Sequence, residues 1–275
     1  MAEVVTSLQN QRVKNAVKLR DRRARDKQQR IIIDGAREIS RARAAGVRWS
    51  AVFVCEQQRA AHAQEPIPHL AAAGAEVIHT SPQVFAKVAF GERSEGLVAV
   101  AHTPARSLDL LQLPPAPVVA VLEGIEKPGN VGAILRTADA AGISAVLLAS
   151  PRTDLFNPNV IRASQGAVFS LPIAQEGTEQ VIDWLRERNF PIVAAKVDGS
   201  SNYTQANLSP PCAIVLGSEA DGLTRLWSSD DVTGVRLPML GRVDSLNVSV
   251  TASVLFYEAL RQANAKTAQS ESESK

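Results

Sequence analysis

Cysteine is nearly absent: of 275 residues only Cys55 and Cys212 are cysteines, and they stand far apart. No Cys-x-x-Cys pair exists, which excludes a disulfide framework and a thiolate zinc site. Both side chains are expected to pack as small apolar groups. Histidine is scarce as well. His62, His69, His79 and His102 all precede the second half of the chain, none has metal-ligand spacing, and no metal is expected. No Gly-x-Gly-x-x-Gly follows a strand-like run and no Walker A pattern occurs, so a dinucleotide-binding fold and a P-loop ATPase lack support. Nothing repeats internally. No apolar run reaches membrane-spanning length and no signal peptide precedes the basic start, so a reducing cytoplasm is the expected location and no membrane is expected as partner.

What is present is unevenly distributed. The formal net charge of +2 conceals a basic run of Arg12, Lys14, Lys18, Arg20, Arg22, Arg23, Arg25, Lys27 and Arg30, opposed only by Asp21 and Asp26. Such a run attracts phosphate backbones and releases their counterions, although a solvated helix face would read the same way. A hydrophobic content of 45% supports substantial cores, and the length accommodates two domains.

Residues 1–106 show an α/β rhythm. Strands are expected at 30–33, 51–55, 76–78 and 96–101, with helices from Gly35 through Ala45, at 68–74 and at 82–88. This alternation fits a small mixed or parallel sheet covered by helices. Residues 107–117 read as a linker stiffened by Pro114, Pro115 and Pro117. Beyond it the α/β pattern restarts over 118–264. Val118–Leu122 is apolar and β-branched, as a strand buried on both faces should be. The Gly129-Asn130 turn opens a helix whose Val131, Ile134, Leu135, Ala138 and Gly142 form one stripe, with Arg136 off it. Further strands are expected at 145–149, 192–196, 213–216 and 235–237, and helices at 157–164 and 179–188. The segment from Val248 to Ala263 is apolar nearly all round, so it should be buried on several sides, most naturally at a dimer interface; a central helix of a monomer is the alternative. Residues 265–275 are rich in Ser, Glu and Lys and are expected to be disordered.

Three segments carry the chemistry: Glu123–Gly142, with Asn130-Val-Gly-Ala-Ile-Leu-Arg136; Ala213–Leu223, with Leu216-Gly-Ser-Glu219 and Gly222-Leu223; and Leu237–Glu258, with Leu237-Pro-Met239 and Ser245-Leu-Asn247. A polar loop, Gly241–Asn247, opens the last helix. Ser245 and Asn247 at that junction either cap the helix or hold a ligand's polar groups. In this order and spacing the three segments resemble the SpoU/TrmH family of the knotted SPOUT superfamily, RNA ribose 2′-O-methyltransferases. The likeness covers roughly Pro117 to Gln262.

The resemblance implies an α/β fold with a parallel sheet and a C-terminal trefoil knot, S-adenosylmethionine as cofactor, a homodimer, and a smaller N-terminal domain that binds RNA. The extra N-terminal domain and the stretch Phe90-Gly91 to Gly96–Val100 point toward rRNA, of the large subunit, as substrate. A tRNA methyltransferase and a non-catalytic RNA-binding or ribosome-assembly factor are the alternatives. Within that family the match places the cofactor against Leu216, Gly217, Leu237, Met239 and Leu246. Arg136 is the expected catalytic group, acting in its own subunit or across the dimer. A guanidinium stays protonated, so stabilising the developing alkoxide and holding the adjacent phosphate suit it better than base chemistry. Asn130 is expected to cap its helix and orient Arg136 or the ribose. Glu219 should pair with an Arg or hold the loop after Gly217, and Ser245 and Asn247 should grip the methionine end or the target ribose. Arg20, Arg22, Arg23, Arg25 and Arg162 are the expected RNA contacts.

Overall fold

Short apolar runs of β-branched residues, each bounded by a helix cap or turn, set the element order. In the computed structural model, which describes residues 3–90 and 95–273, the chain begins with β1 (Val4–Val5), α1 (Gln11–Lys18) and α2 (Arg22–Gln28). The Asn10 side chain caps α1 and Asp21 caps α2, by accepting from the backbone N–H of Arg12 and Ala24 respectively. Next come β2 (Arg30–Asp34), α3 (Ala36–Ala44), β3 (Trp49–Val54), α4 (Pro66–Ala72), β4 (Glu76–Thr80), α5 (Pro82–Val88) and β5 (Leu97–His102). These strands form a five-stranded sheet of order β1-β4-β3-β5-β2. It is mixed: β5 runs antiparallel to β2 and β3, whereas β4 runs parallel to β1 and β3. One face of the sheet packs on α1 and α5 through Val13, Ala16, Leu19, Val84, Phe85 and Val88. Residues 91–94, within the Phe90–Val100 stretch, lie outside the described residues.

The chain continues through β6 (Val118–Glu123), α6 (Pro128–Ala140), β7 (Ala145–Ala149), two short helices α7 (Pro158–Ala163) and α8 (Ala167–Ser170), β8 (Ile173–Glu176), α9 (Thr178–Glu187), β9 (Ile192–Ala195), β10 (Ser201–Asn202), β11 (Cys212–Leu216), β12 (Val232–Arg236) and α10 (Val248–Glu273), and strands β6 to β12 form the second sheet. Its seven strands are all parallel, in the order β10-β12-β9-β11-β6-β7-β8. β11 slots between β6 and β9, and every residue of β6, β7 and β11 is buried, as expected of central strands covered on both faces. Burial pushes the Cys212 thiol up to about 12, and Cys55 is buried too, in keeping with a packing role for both cysteines.

The chain divides into two compact units, Met1–Ala105 with Asp154–Ser170, and Arg106–Thr153 with Leu171–Lys275. The expected unit 118–264 therefore lacks the α7–α8 segment and gains the 107–117 linker. Leu108, Leu111 and Leu113 attach that linker by packing against the core around Trp184 and Trp227. Three other expectations change. Gly142 does not extend the α6 stripe. It sits at φ +72 just past the C-cap Ala141, and Ile143 N–H returns to the Ala138 carbonyl at 2.9 Å, closing the helix. The residues expected to be a disordered tail from 265 onward continue α10 as far as Glu273, and 274–275 lie outside the described residues. α10 is also less enclosed than its composition implies: Val248, Ala252, Leu255, Phe256 and Ala259 are buried, while Val250 is 46% and Tyr257 51% exposed.

Candidate active site

The C-terminal ends of β9, β11 and β12 open onto one cleft of about 1170 Å³. Ligands of open parallel sheets bind outside the carboxyl ends of the strands, and this cleft lies at such ends. Its walls are the loops that follow those strands. Leu216 and Gly217 end β11, Leu237 and Met239 follow β12, and Leu246 precedes α10, so all five expected cofactor residues line it. Leu246 is 38% exposed and offers an apolar face. Leu216 is buried, so it contributes chiefly through its main chain.

Gly217 has a more local reason than close approach to a ligand. A Cβ there would meet the Gly222 carbonyl carbon at 2.3 Å and Leu223 N at 2.6 Å. The chain doubles back tightly at this point: Ser218 N–H donates to the Gly222 carbonyl at 3.0 Å, and Gly222 N–H donates to the Ser218 carbonyl at 3.1 Å. Only a residue without a side chain permits that turn, and the turn shapes one wall of the cleft.

Three residues from three separate motifs meet beside it. Asn130 is the third residue of α6; Lys127 holds the cap position and Pro128 the first helical position, so the capping expected of Asn130 is not its role. Its side-chain amide instead donates to Glu219 Oε1, and its Oδ1 accepts from Asn247 Nδ2 at 3.3 Å. Glu219 therefore pairs with an amide rather than with an arginine. Asn247 does double service: its Oδ1 accepts from Ser249 N at 2.9 Å and Ser249 Oγ at 2.6 Å, which caps the start of α10. Glu219, Ser245 and Asn247 all line the cleft.

Arg136 is exposed on α6, on the side away from buried Val131, Ile134, Leu135 and Ala138, as its place off the stripe implies. It is not among the residues that line the cleft of its own chain. The buried side of α6 packs near α10, where Thr137 Oγ1 and Ser253 Oγ lie 3.4 Å apart. Charged residues that sequence reasoning did not single out also line the cleft: Lys127, Lys196, Asp198, Arg236, Arg242 and Asp244. Their only sequence signal was proximity to the motifs, which spoke for Lys127, Arg236, Arg242 and Asp244 and was silent for Lys196 and Asp198. Among the described residues no group of three or more His, Cys, Asp or Glu is placed to hold a metal ion.

The basic run resolves into two kinds of arginine. Arg25 is 3% exposed; its Nε and Nη2 donate to Asp154 Oδ2, and its Nη1 donates to the carbonyls of Leu19 and Arg20, each at 2.8 Å. Arg20 Nη2 donates to the carbonyls of Lys87, Val88 and Ala89 at the end of α5, and its guanidinium lies 5.6 Å from the Phe90 ring centroid. Burial pushes the Arg20 pKa down, opposed by nearby Asp34. Arg25 is thus engaged within the fold, contrary to its expected RNA contact, whereas Arg20 is tethered by those carbonyls yet stays exposed. Arg22 and Arg23 remain exposed, as do Lys14, Lys18 and Lys27. Arg162, on α7, is half-buried and belongs with Glu38 of α3 in the first unit rather than with the cleft.

Known proteins share both halves. The pattern of the SpoU rRNA Methylase family matches residues 117–257, and that of the MRM3-like substrate binding domain matches residues 10–99. The chain is 27% identical over 253 residues to the 23S rRNA (guanosine(2553)-2′-O)-methyltransferase RlmP of Bacillus subtilis, covering 92% of this chain and 97% of that one. A Staphylococcus haemolyticus protein named to the TrmH family of tRNA/rRNA methyltransferases is 37% identical over 145 residues, an alignment that spans 52% of this chain and 58% of the relative. A crystal structure of an RNA 2′-O ribose methyltransferase superposes with a TM-score of 0.82 at 42% identity, covering 94% of this chain and 99% of that one. AviRb of Streptomyces viridochromogenes, a SpoU methyltransferase solved with AdoMet, does so with a TM-score of 0.83 at 27% identity over 92% of this chain and 98% of its own. With its three motifs converging on one cleft and its second half matched by the family pattern, this chain belongs to the SpoU rRNA Methylase family.

Proposed function

We propose that this protein methylates a ribose 2′-hydroxyl of large-subunit rRNA, using S-adenosylmethionine. The observation that carries the reading is the hydrogen-bonded link Glu219–Asn130–Asn247, centred on Asn130, which joins the three motifs at the cleft. The cleft fits the cofactor: Leu237, Met239 and Leu246 give apolar walls for an adenine, and the Gly217–Gly222 turn gives main-chain groups for its polar edge. When bound, the cofactor supplies an activated methyl group and a neutral leaving group.

The protein's task is then alignment and control of one proton. Ser245 and Asn247 face the cleft with hydroxyl and amide groups suited to the cofactor's methionine end or the target ribose. Asn130 holds Glu219 and Asn247 in register. Arg136 stabilises the oxygen as its proton leaves and grips the neighbouring phosphate. Arg136 does not line the cleft of its own chain, which supports a site completed by Arg136 of a second subunit. The exposed apolar residues Val250 and Tyr257 on α10, with Leu240 and Val243 at 98% and 63% exposure on the preceding loop, give that second subunit a surface to cover. A trefoil knot and a cytoplasmic location complete the reading; among the described residues no helix is long and apolar enough to cross a membrane.

Two things favour rRNA over tRNA. The alignment with a 23S rRNA methyltransferase runs almost end to end, and the first unit matches a substrate-binding domain. The test is methyl transfer from labelled S-adenosylmethionine to rRNA and to tRNA, with and without EDTA. Label recovered as 2′-O-methylnucleoside from rRNA, unchanged by chelator, is the expected result. Transfer lost in EDTA, or confined to tRNA, contradicts it.

A further inference from the structure

Glu123, the last residue of β6, is 3% exposed, yet no cation partners it among the described residues. Its carboxylate is held by hydrogen bonds alone. Oε1 accepts from Thr178 Oγ1 at 2.9 Å and from Thr224 Oγ1 at 2.9 Å, and Oε2 accepts from Thr224 N at 2.8 Å. Thr178 is itself braced by Ser150, whose Oγ lies 2.9 Å from Thr178 Oγ1 and accepts from Thr178 N at 3.1 Å. A buried carboxylate without an ion pair persists only where donors saturate it, and these donors come from separate segments of chain.

Thr224 ends the turn that forms one wall of the cleft. Residues Gly217 to Leu223 line the cleft, so the bonds from Glu123 grip the turn at the point where it leaves. The turn also lies against the residue after Glu123: a Cβ at Gly124 would come within 3.9 Å of Ser218 Cβ. On the outside, Arg152 Nη1 pairs with Asp221 Oδ2 at 2.8 Å and with Glu126 Oε1 at 2.6 Å. Those groups are half-exposed, and ion pairs of that kind contribute little. The strong anchor is the buried one.

We propose that Glu123 is a positioning residue for the cofactor: through Thr224 it fixes the 217–224 turn in the shape that receives S-adenosylmethionine. This rests on the reading of the cleft as the cofactor site. Glu123 touches none of the reacting atoms, so its removal weakens binding without altering the chemical step. It also acts on the turn before any ligand arrives.

The experiment uses the full-length protein and three variants. Glu123→Gln presents an N–H₂ or a single acceptor where both oxygens now accept. Thr224→Val removes one hydroxyl donor with little change of shape, and Thr224→Ser restores it. Calorimetry measures affinity for S-adenosylmethionine and for S-adenosylhomocysteine, single-turnover kinetics measure transfer at saturating cofactor, and hydrogen exchange follows residues 218–224 without ligand. Expected for Glu123→Gln and Thr224→Val are faster exchange in the turn and a roughly tenfold loss of affinity for both ligands, the scale of a hydrogen bond to a charged group. The transfer rate at saturation should be kept, and Thr224→Ser should behave as the parent. If Glu123→Gln does not fold, the Thr224 pair decides alone. Unchanged exchange in the turn overturns the proposal, as does loss of affinity for S-adenosylmethionine only, or a fall in transfer rate with affinity intact. Parent protein that binds neither ligand contradicts the assignment of the cleft instead, and the exchange measurement still tests whether Glu123 holds the turn.

Discussion

Arg136 carries the largest chemical burden in this account and has the plainest surroundings, an exposed position on a helix whose other side is core. Substituting Arg136→Lys keeps the charge but removes the planar fork that fits an alkoxide or phosphate. Transfer should then fall by about two to three orders of magnitude, as when one preorganised oxyanion donor is lost. Cofactor affinity should be unchanged, because the side chain lies off the packed stripe; a fully active variant would remove Arg136 from the mechanism. Single residues were legible where local pattern decided them. The α6 stripe located Arg136, and the Ser-Leu-Asn segment located a helix cap that proved real at Asn247. They were illegible where a distant partner decided them. Nothing near Arg25 in the sequence announces Asp154, and nothing near Asn130 announces that its side chain bridges Glu219 and Asn247.

At the scale of elements, helix α2 divides its arginines between the interior and solvent, and the two faces should respond differently to mutation. Replacing Arg22 and Arg23 with Ala should lower the salt dependence of RNA affinity by about one unit of slope for each phosphate no longer neutralised. Cofactor affinity and thermal stability should be unaffected. Arg25→Ala should do the reverse. It leaves Asp154 Oδ2 and two carbonyls without the Arg25 donors, and breaking a buried pair of this kind costs about 3–5 kcal/mol. Thermal melts and salt titrations of both variants check this; an unchanged slope for the first would make the exposed run a solvated face only. Most helices and strands follow from apolar periodicity and capping, and α5 and β7 match their expected bounds. α1 and α2 were hidden because their charged surface dominates their composition. β8 and β10 were hidden because each is too short to show alternation. The helical course of α10 past residue 264 runs against a composition that favours disorder.

For the whole molecule, sequence pattern indicates a parallel sheet but not its order. Placing β11 between β6 and β9 depends on which strand edges remain unpaired when the chain returns, and no local signal records that. That placement brings the second motif beside the first and so creates the cleft. Assembly is the next consequence. Sedimentation should show a dimer that weakens when Val250 and Tyr257 are replaced by charged residues. Heterodimers of Arg136→Lys with Gly217→Trp subunits should regain part of the activity, since the tryptophan would collide with the backbone at Gly222 and disable only its own cleft. Absence of complementation in verified heterodimers would place Arg136 in cis.

The central claim, that the joined motifs methylate a ribose in large-subunit rRNA, is tested most directly by mapping ribose methylation across all cellular RNA with and without the gene. One large-subunit rRNA 2′-O-methyl mark should vanish on deletion. It should return with the parent gene and not with Arg136→Lys. An unchanged rRNA methylation map, or a lost mark confined to tRNA, would contradict it.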